Sequence, residues 1–310
     1  MVKSRILVAD SIHEDAIEKL MKAGFDLAVR TDITPAQLLE SIDGYDAIIV
    51  RSRTKVTKDV IHAGTSLKVI ARAGVGLDNV DREAAKEKGV QVVNSPEGPS
   101  VSVAELVFAL ALSVLRHISS ADAGIRRGEW LKKTSKGGEM RGRRIGIWGF
   151  GLIGAEVAKR ALAFGMTVYG FDLSSSRIEI MKKMGVKYVP AEELVAVSDI
   201  LTVHVPLIPQ TRGLIGTKEL EAMPQGAILI NTARGGIVDE NALYQSLVDG
   251  HLGGAGIDVF TEEPPFDNAS LQKLVSLPNV VSTPHIGAQT SEASRANSMI
   301  IAEKLMALMK

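Results

Sequence analysis

Short apolar, β-branched runs recur through the first hundred residues and alternate with stretches whose apolar positions repeat every three to four residues. The runs are Ile6–Ala9, Leu27–Val29, Ala47–Val50, Val69–Ala71 and Val90–Val93, and the periodic stretches include Glu14–Ala23, Pro35–Ile42 and Lys58–Ala63. Apolar runs this short predict strands buried on both faces, and helices interleaved with them predict a parallel sheet. Asn94–Pro99 (NSPEGP) breaks the pattern with turn formers, and a long helix is predicted from about Ser100 to His117. The alternation then resumes. Strands are predicted at Arg144–Trp148, Thr167–Phe171, Ile200–Val205, Ala227–Asn231, Ala255–Val259 and Val280–Ser282, and helices at Ala155–Phe164, Arg177–Met184, Glu192–Val197, Lys218–Met223 and Glu240–Val248. Thr283-Pro284 ends the last strand, and Gln289–Met309 reads as one closing helix.

The pattern predicts an α/β protein of two doubly wound, parallel-sheet, Rossmann-like domains. Residues 97–287 form the second domain, inserted into a discontinuous, flavodoxin-like first domain made of residues 1–96 and 288–310. Open parallel sheets bind ligands beyond the carboxyl ends of their strands, so the active site is expected in the cleft between the two domains.

One stretch specifies a ligand. After the strand Arg144–Trp148, Gly149, Gly151 and Gly154 occupy G-x-G-x-x-G, a helical pattern follows, and Asp172 ends the next strand 18 residues beyond Gly154. The first glycine permits a tight turn, the second lets a pyrophosphate approach the backbone, and the third lets helix and strand pack closely. The helix N-terminus then faces the phosphates, and a carboxylate at the end of the next strand accepts both ribose hydroxyls. The cofactor read from this is NAD. A 2′-phosphate would meet the charge of Asp172, an exclusion that Arg177, after Ser174–Ser176, would soften.

Composition narrows the partners. Lys+Arg and Asp+Glu are both 36, so no net field recruits nucleic acid or an anionic membrane. The absence of cysteine removes disulfides, thiolate metal sites and a cysteine nucleophile, and no metal site is expected. The start, MVKSRILVAD, has a continuous apolar run of only four residues, Ile6–Ala9, before Asp10 and reads as a first strand, not a signal peptide. The longest apolar stretch, Val101–Leu115, is interrupted by Glu105 and is shorter than the roughly 18 residues a spanning helix needs. A soluble cytoplasmic protein with a small-molecule substrate is expected.

Three polar residues follow strand ends in the second half: Arg234 in NTARGG, Glu263 in DVFTEEPP and His285 in STPHIG. Singly, each has an ordinary reading: a surface ion-pair arginine, a solvated glutamate, a packing histidine. Together they make a chemical set. Histidine is the acid/base suited to neutral pH, a carboxylate beside it fixes its tautomer, and an arginine grips a carboxylate and polarises a carbonyl. Such a set beside a nicotinamide suits hydride transfer at a 2-hydroxy or 2-keto acid.

The chain resembles the D-2-hydroxyacid dehydrogenase family along essentially its whole length, and most of all the members that oxidise 3-phospho-D-glycerate to 3-phosphohydroxypyruvate, the first step of serine biosynthesis. The segments that carry the resemblance are Val50–Ile61, Ala71–Asp81, Trp148–Gly154, Asn231–Leu243, Gly254–Pro265 and Thr283–Thr290, in that order. The resemblance implies His285 as general acid/base, Glu263 as its partner and Arg234 as substrate anchor. It implies that the N–H groups around Gly74, Val75 and Gly76 bind the substrate carboxylate. A 3-phosphate needs cations, and Arg51, Arg53 and Arg72 all follow strands whose ends should face the cleft; of these the resemblance implies that Arg51 and Arg72 serve the phosphate. For the cofactor it implies Leu152 and Ile153 N–H groups on the pyrophosphate and Asp172 on the ribose. His204, Val205 and Pro206 would flank the adenine, with Thr232, Ala233, Asp258, Gly287 and Ala288 around the nicotinamide.

Two departures stand out. Leu152 replaces an arginine common among relatives, which removes one guanidinium contact to the pyrophosphate. Many relatives also carry a C-terminal regulatory domain, so with the chain stopping at Lys310 serine feedback through such a domain is not expected. Substrate choice stays open, since glyoxylate or hydroxypyruvate suits the same machinery without a phosphate. An NADH-sensing corepressor also uses this fold, although no disordered, proline-rich or basic segment for partner recruitment is visible. The apolar stretch from Ser100 to about Trp130 matches a dimer arm in similar enzymes, and a homodimer is expected.

Overall fold

Two fully parallel sheets carry the fold in the computed structural model, which describes residues 3–309. Those residues divide into two units, one built from the segments up to Ser100 and from Ala288 onward, the other from Val101–Gly287. The first unit thus extends to Ser100 instead of residue 96. The NSPEGP turn stays attached to it, because Ser95 N–H donates to Gly74 O and the Ser95 hydroxyl donates to Asn297 Oδ1.

The first unit's strands are β1 (Arg5–Val8), β2 (Asp26–Val29), β3 (Ala47–Val50), β4 (Val69–Arg72) and β5 (Gln91–Asn94), in the order β2-β1-β3-β4-β5. Alternate residues of a strand point to opposite faces, so β1 feeds two cores. Leu7 packs with Ile48, Ile70, Leu38 and Ile61 on one face. Ile6 and Val8 pack with Ile49, Leu20, Ile301, Ala302 and Leu305 on the other. The last three belong to the closing helix Ser291–Leu308, which explains why this unit is discontinuous in sequence.

The second unit's strands are β6 (Arg144–Trp148), β7 (Thr167–Phe171), β8 (Lys187–Tyr188), β9 (Ile200–Val203), β10 (Ile228–Asn231), β11 (Gly254–Ile257) and β12 (Val280–Ser282), in the order β12-β11-β10-β9-β6-β7-β8. Strand order reverses at β6, so the crevice at the carboxyl ends of β6 and β9 is the switch point where such sheets take ligands. The helix Ser100–Arg116 buries Val107, Leu110, Ala111 and Val114. It ends one residue before the expected His117, whose left-handed backbone (φ 54°) turns the chain into a second helix, Ile118–Arg126. Among the described residues, no single helix is long and apolar enough to cross a membrane.

Candidate active site

The glycine turn follows β6 directly. Gly149 adopts φ 98°, and a Cβ there would lie 2.7 Å from His204 O; a Cβ on Gly154 would lie 2.4 Å from Gly149 O. These two glycines are demanded by the fold itself. Gly151 differs, since nothing lies within 4 Å of where its Cβ would be. It opens the helix Leu152–Ala163, whose N-terminus has no side-chain cap. The Leu152 and Ile153 N–H groups therefore lie in an uncapped, electropositive first turn. Leu152 is exposed.

Asp172 follows β7. Its Oδ2 accepts Phe150 N–H at 2.8 Å and its Oδ1 accepts Ser174 N–H at 2.9 Å, which holds the carboxylate beside the glycine turn. His204 follows β9. Its Nε2 pairs with Thr202 Oγ1 at 3.0 Å, while its Nδ1 is closed to solvent and has no partner. Burial pushes this imidazole down to about 3, so the ring is neutral. Val205 and Pro206 continue the same loop.

The candidate catalytic residues Arg234, Glu263 and His285 lie in the loops after β10, β11 and β12. The His285 Nδ1–H donates to Glu263 Oε2 at 2.8 Å, and both side chains are about half-exposed. Burial opposes ionisation of Glu263, but the His285 bond, the Phe260 N–H, the charge His285 carries when protonated and the charge of Arg234 outweigh it and hold the carboxyl below its usual range. An ionised glutamate only accepts, so the histidine proton resides on Nδ1 and the Nε2 lone pair is left to act as a base.

Each loop has its own scaffold. Asn231 at the end of β10 accepts Ala233 N–H and donates to Arg234 O, shaping the turn that carries half-buried Arg234. The Arg234 Nη1 donates to Ala233 O. Gly235 lets this turn abut the next, since a Cβ there would lie 1.9 Å from Phe260 O. The 260–263 loop is tied down by Glu240, whose Oε1 accepts Thr261 N–H at 2.8 Å. Burial raises Glu240 despite that bond. Asp258, 1% exposed, accepts from the Thr283 hydroxyl and from Ile286 and Gly287 N–H. Burial pushes its carboxyl up against those donors. The family resemblance implies a place for Asp258 at the nicotinamide; in the structure its carboxylate organises the loop around His285. Thr232 is buried and its Oγ1 has no partner, and Ala233 is buried beside it. Asn231, the last residue of β10, and Glu240, the first of the helix Glu240–Val248, were legible in the sequence only as element ends and not as supports of these loops.

In the first unit, Gly74, Val75 and Gly76 follow β4. Gly74 (φ 150°) is passed by the Arg72 guanidinium so closely that a Cβ would lie 1.8 Å from Nη1. Arg51 is half-buried, and its backbone N–H donates to Asp10 Oδ2. Arg53 takes a structural role: it donates to Asp10 Oδ1, Ala9 O and Ile33 O, so its charge is already paired with a buried carboxylate. Ala288 begins the return of the chain into this unit.

The second unit's residues fit a dinucleotide: an open Gly151, an uncapped helix start, an oriented Asp172 and two orphaned polar atoms, Thr232 Oγ1 and His204 Nδ1, in loops at strand ends. No group of acidic or histidine residues among the described residues has a metal-binding arrangement.

Comparison with known proteins agrees. Residues 108–287 match the family model described as "D-isomer specific 2-hydroxyacid dehydrogenase, NAD binding domain". The chain is 48% identical over 307 residues to a D-3-phosphoglycerate dehydrogenase of Methanocaldococcus jannaschii, covering 99% of this chain but 57% of that protein, so it spans little more than half that relative's length. It is 45% identical over 306 residues to a hydroxypyruvate reductase of Thermotoga maritima, covering 98% of each. Among solved structures, a glyoxylate reductase from Paecilomyes thermophila superposes with a TM-score of 0.87 at 30% identity, covering 99% of this chain and 95% of that one.

Proposed function

Because the chain belongs to the D-isomer specific 2-hydroxyacid dehydrogenase family, we propose that it oxidises 3-phospho-D-glycerate to 3-phosphohydroxypyruvate with NAD. The observation that carries this is the His285–Glu263 pair, 2.8 Å apart and in the same unit as the dinucleotide fingerprint. His285 Nε2 takes the C2 hydroxyl proton. Glu263 stabilises the imidazolium that forms, and Arg234 grips the C1 carboxylate and the developing carbonyl. Bound NAD supplies the hydride acceptor. Leu152, Ile153 and Asp172 hold it by pyrophosphate and ribose; His204, Val205 and Pro206 flank its adenine; and Thr232, Ala233, Asp258, Gly287 and Ala288 surround its nicotinamide. In the first unit, Val75 and Gly76 N–H groups hold the substrate carboxylate while Arg51 and Arg72 serve the phosphate.

A second reading is a reductase of hydroxypyruvate or glyoxylate. The commitment of Arg53 to Asp10 favours it, because that leaves the phosphate one cation fewer. We further propose a cytoplasmic homodimer, supported by the apolar exposure of Ile118, Ile125 and Trp130.

A steady-state panel of phosphorylated and unphosphorylated 2-hydroxy and 2-keto acids, run with NAD and NADP, tests the assignment. Preference for phosphoglycerate with NAD is expected. Preference for hydroxypyruvate or glyoxylate selects the second reading, and NADH binding without turnover of any of these acids would favour a sensor.

A further inference from the structure

The Gly74–Gly76 turn in the first unit is held from behind. Gly74 O accepts Ser95 N–H at 3.0 Å, and Val75 O accepts the Asn94 Nδ2–H at 2.6 Å. In a trans peptide the carbonyl and the following N–H point in opposite directions. A tethered Gly74 carbonyl therefore turns Val75 N–H away from the 94–95 segment, and a tethered Val75 carbonyl does the same for Gly76 N–H. Neither N–H has a hydrogen-bond partner among the described residues. Successive N–H groups turned the same way form an anion-binding concavity.

The 94–95 segment is fixed in turn by the closing helix. Lys304 Nζ donates to Asn94 O at 2.7 Å, and the Ser95 hydroxyl donates to Asn297 Oδ1 at 2.8 Å. Ser95 and Asn297 are 0% and 2% exposed, so their bond is made out of water, where losing a partner strands a polar group. Gly98 permits the approach, since a Cβ there would lie 2.2 Å from Asn297 Oδ1. Surface position alone would not need such a tether.

We propose that Asn94 and the Ser95–Asn297 pair are positioning residues, which aim the Val75 and Gly76 N–H groups at the substrate's carboxylate. The inference rests on the carboxylate-binding reading given under the proposed function. Asn94 touches no reacting atom in this scheme; it acts through the peptide it holds.

Asn94→Asp keeps the shape but cannot donate to Val75 O, and Ser95→Ala removes the hydroxyl that meets Asn297. Three readouts apply to each: NADH affinity by fluorescence titration, KM and kcat for hydroxypyruvate, and calorimetric binding of oxamate, a carboxylate that cannot be reduced, to the NADH complex. KM and the oxamate dissociation constant are expected to rise about tenfold or more, as for loss of a well-aimed charge-assisted hydrogen bond, with NADH affinity unchanged. Asn94→Ser replaces Asn94→Asp if the latter does not fold. Folded variants that bind oxamate as tightly as the wild type overturn the positioning role, and so does a wild type that binds none. A wild type that binds oxamate but reduces no 2-keto acid overturns the proposed function instead, and the variants' oxamate affinities still decide the positioning role.

Discussion

The His285 N–H donates to the Asp258 carbonyl at 2.9 Å, and the same aspartate's carboxylate grips the residues on either side of that histidine. His285 is thereby held in left-handed backbone, φ 54°, a conformation that non-glycine residues adopt only when their surroundings impose it. Asp258→Asn introduces an amide donor where three donors already converge. We expect stability to fall by about 1–3 kcal/mol and kcat to fall at least tenfold because the imidazole is misaimed, as read by chemical denaturation and steady-state kinetics.

Removing the imidazole proposed as the base is a harsher change. His285→Ala should lower kcat by about a hundred- to ten-thousand-fold while leaving NADH affinity near the wild-type value. A variant with full turnover would refute the assignment of the base.

Glu263 links the site to pH. Its folded carboxyl is held below the usual range, so the stability it adds is present above the unfolded value and is lost as pH falls through the folded one. Glu263→Gln should therefore melt lower than the wild type at neutral pH, and the gap should close as pH drops below about 4. Thermal unfolding across that range reads the difference directly.

Two glycines of one motif should fail in different ways. Gly154→Ala forces a methyl toward Gly149 O and should cost about 1–3 kcal/mol of stability. Gly151→Ala meets nothing in the protein, so the fold should hold while NADH binding weakens about tenfold or more, through loss of close backbone approach. Paired melting and fluorescence titrations separate the two.

The two arginines after β3 should also separate. Arg53→Lys cannot reproduce donation to Asp10, Ala9 and Ile33 together, and should lower stability without changing the ratio of kcat/KM for phosphorylated over unphosphorylated substrate. Arg51→Ala should cut that ratio about tenfold or more. An unchanged ratio in Arg51→Ala removes it from phosphate recognition.

Much of this was legible in the chain. Strands buried on both faces are almost wholly apolar, so runs such as Ala47–Val50 and Ile145–Trp148 stand out and fall where the ladders do. Arg234, Glu263 and His285 stand out in the sequence because each follows a strand, where open parallel sheets present functional groups. What stayed hidden depends on long-range partners or on weak local signals. β8 is two exposed residues, Lys187 and Tyr188, with no apolar pattern to mark it. The helix Ala269–Val275 follows a run of turn formers that masks its start. Arg53 reads as a free cation until Asp10, buried at the end of β1, comes to meet it. The helix break at His117 is a backbone event inside an otherwise helical sequence.

Ile301, Ala302 and Leu305 finish the layer that covers Ile6, Val8 and Ile49. A ribosome makes Val101–Gly287 in full before it reaches those three residues. One greasy side of the sheet that holds β1 and β3 therefore stays uncovered until synthesis has passed through the whole intervening unit. A layer begun early in synthesis is thus closed by residues made late.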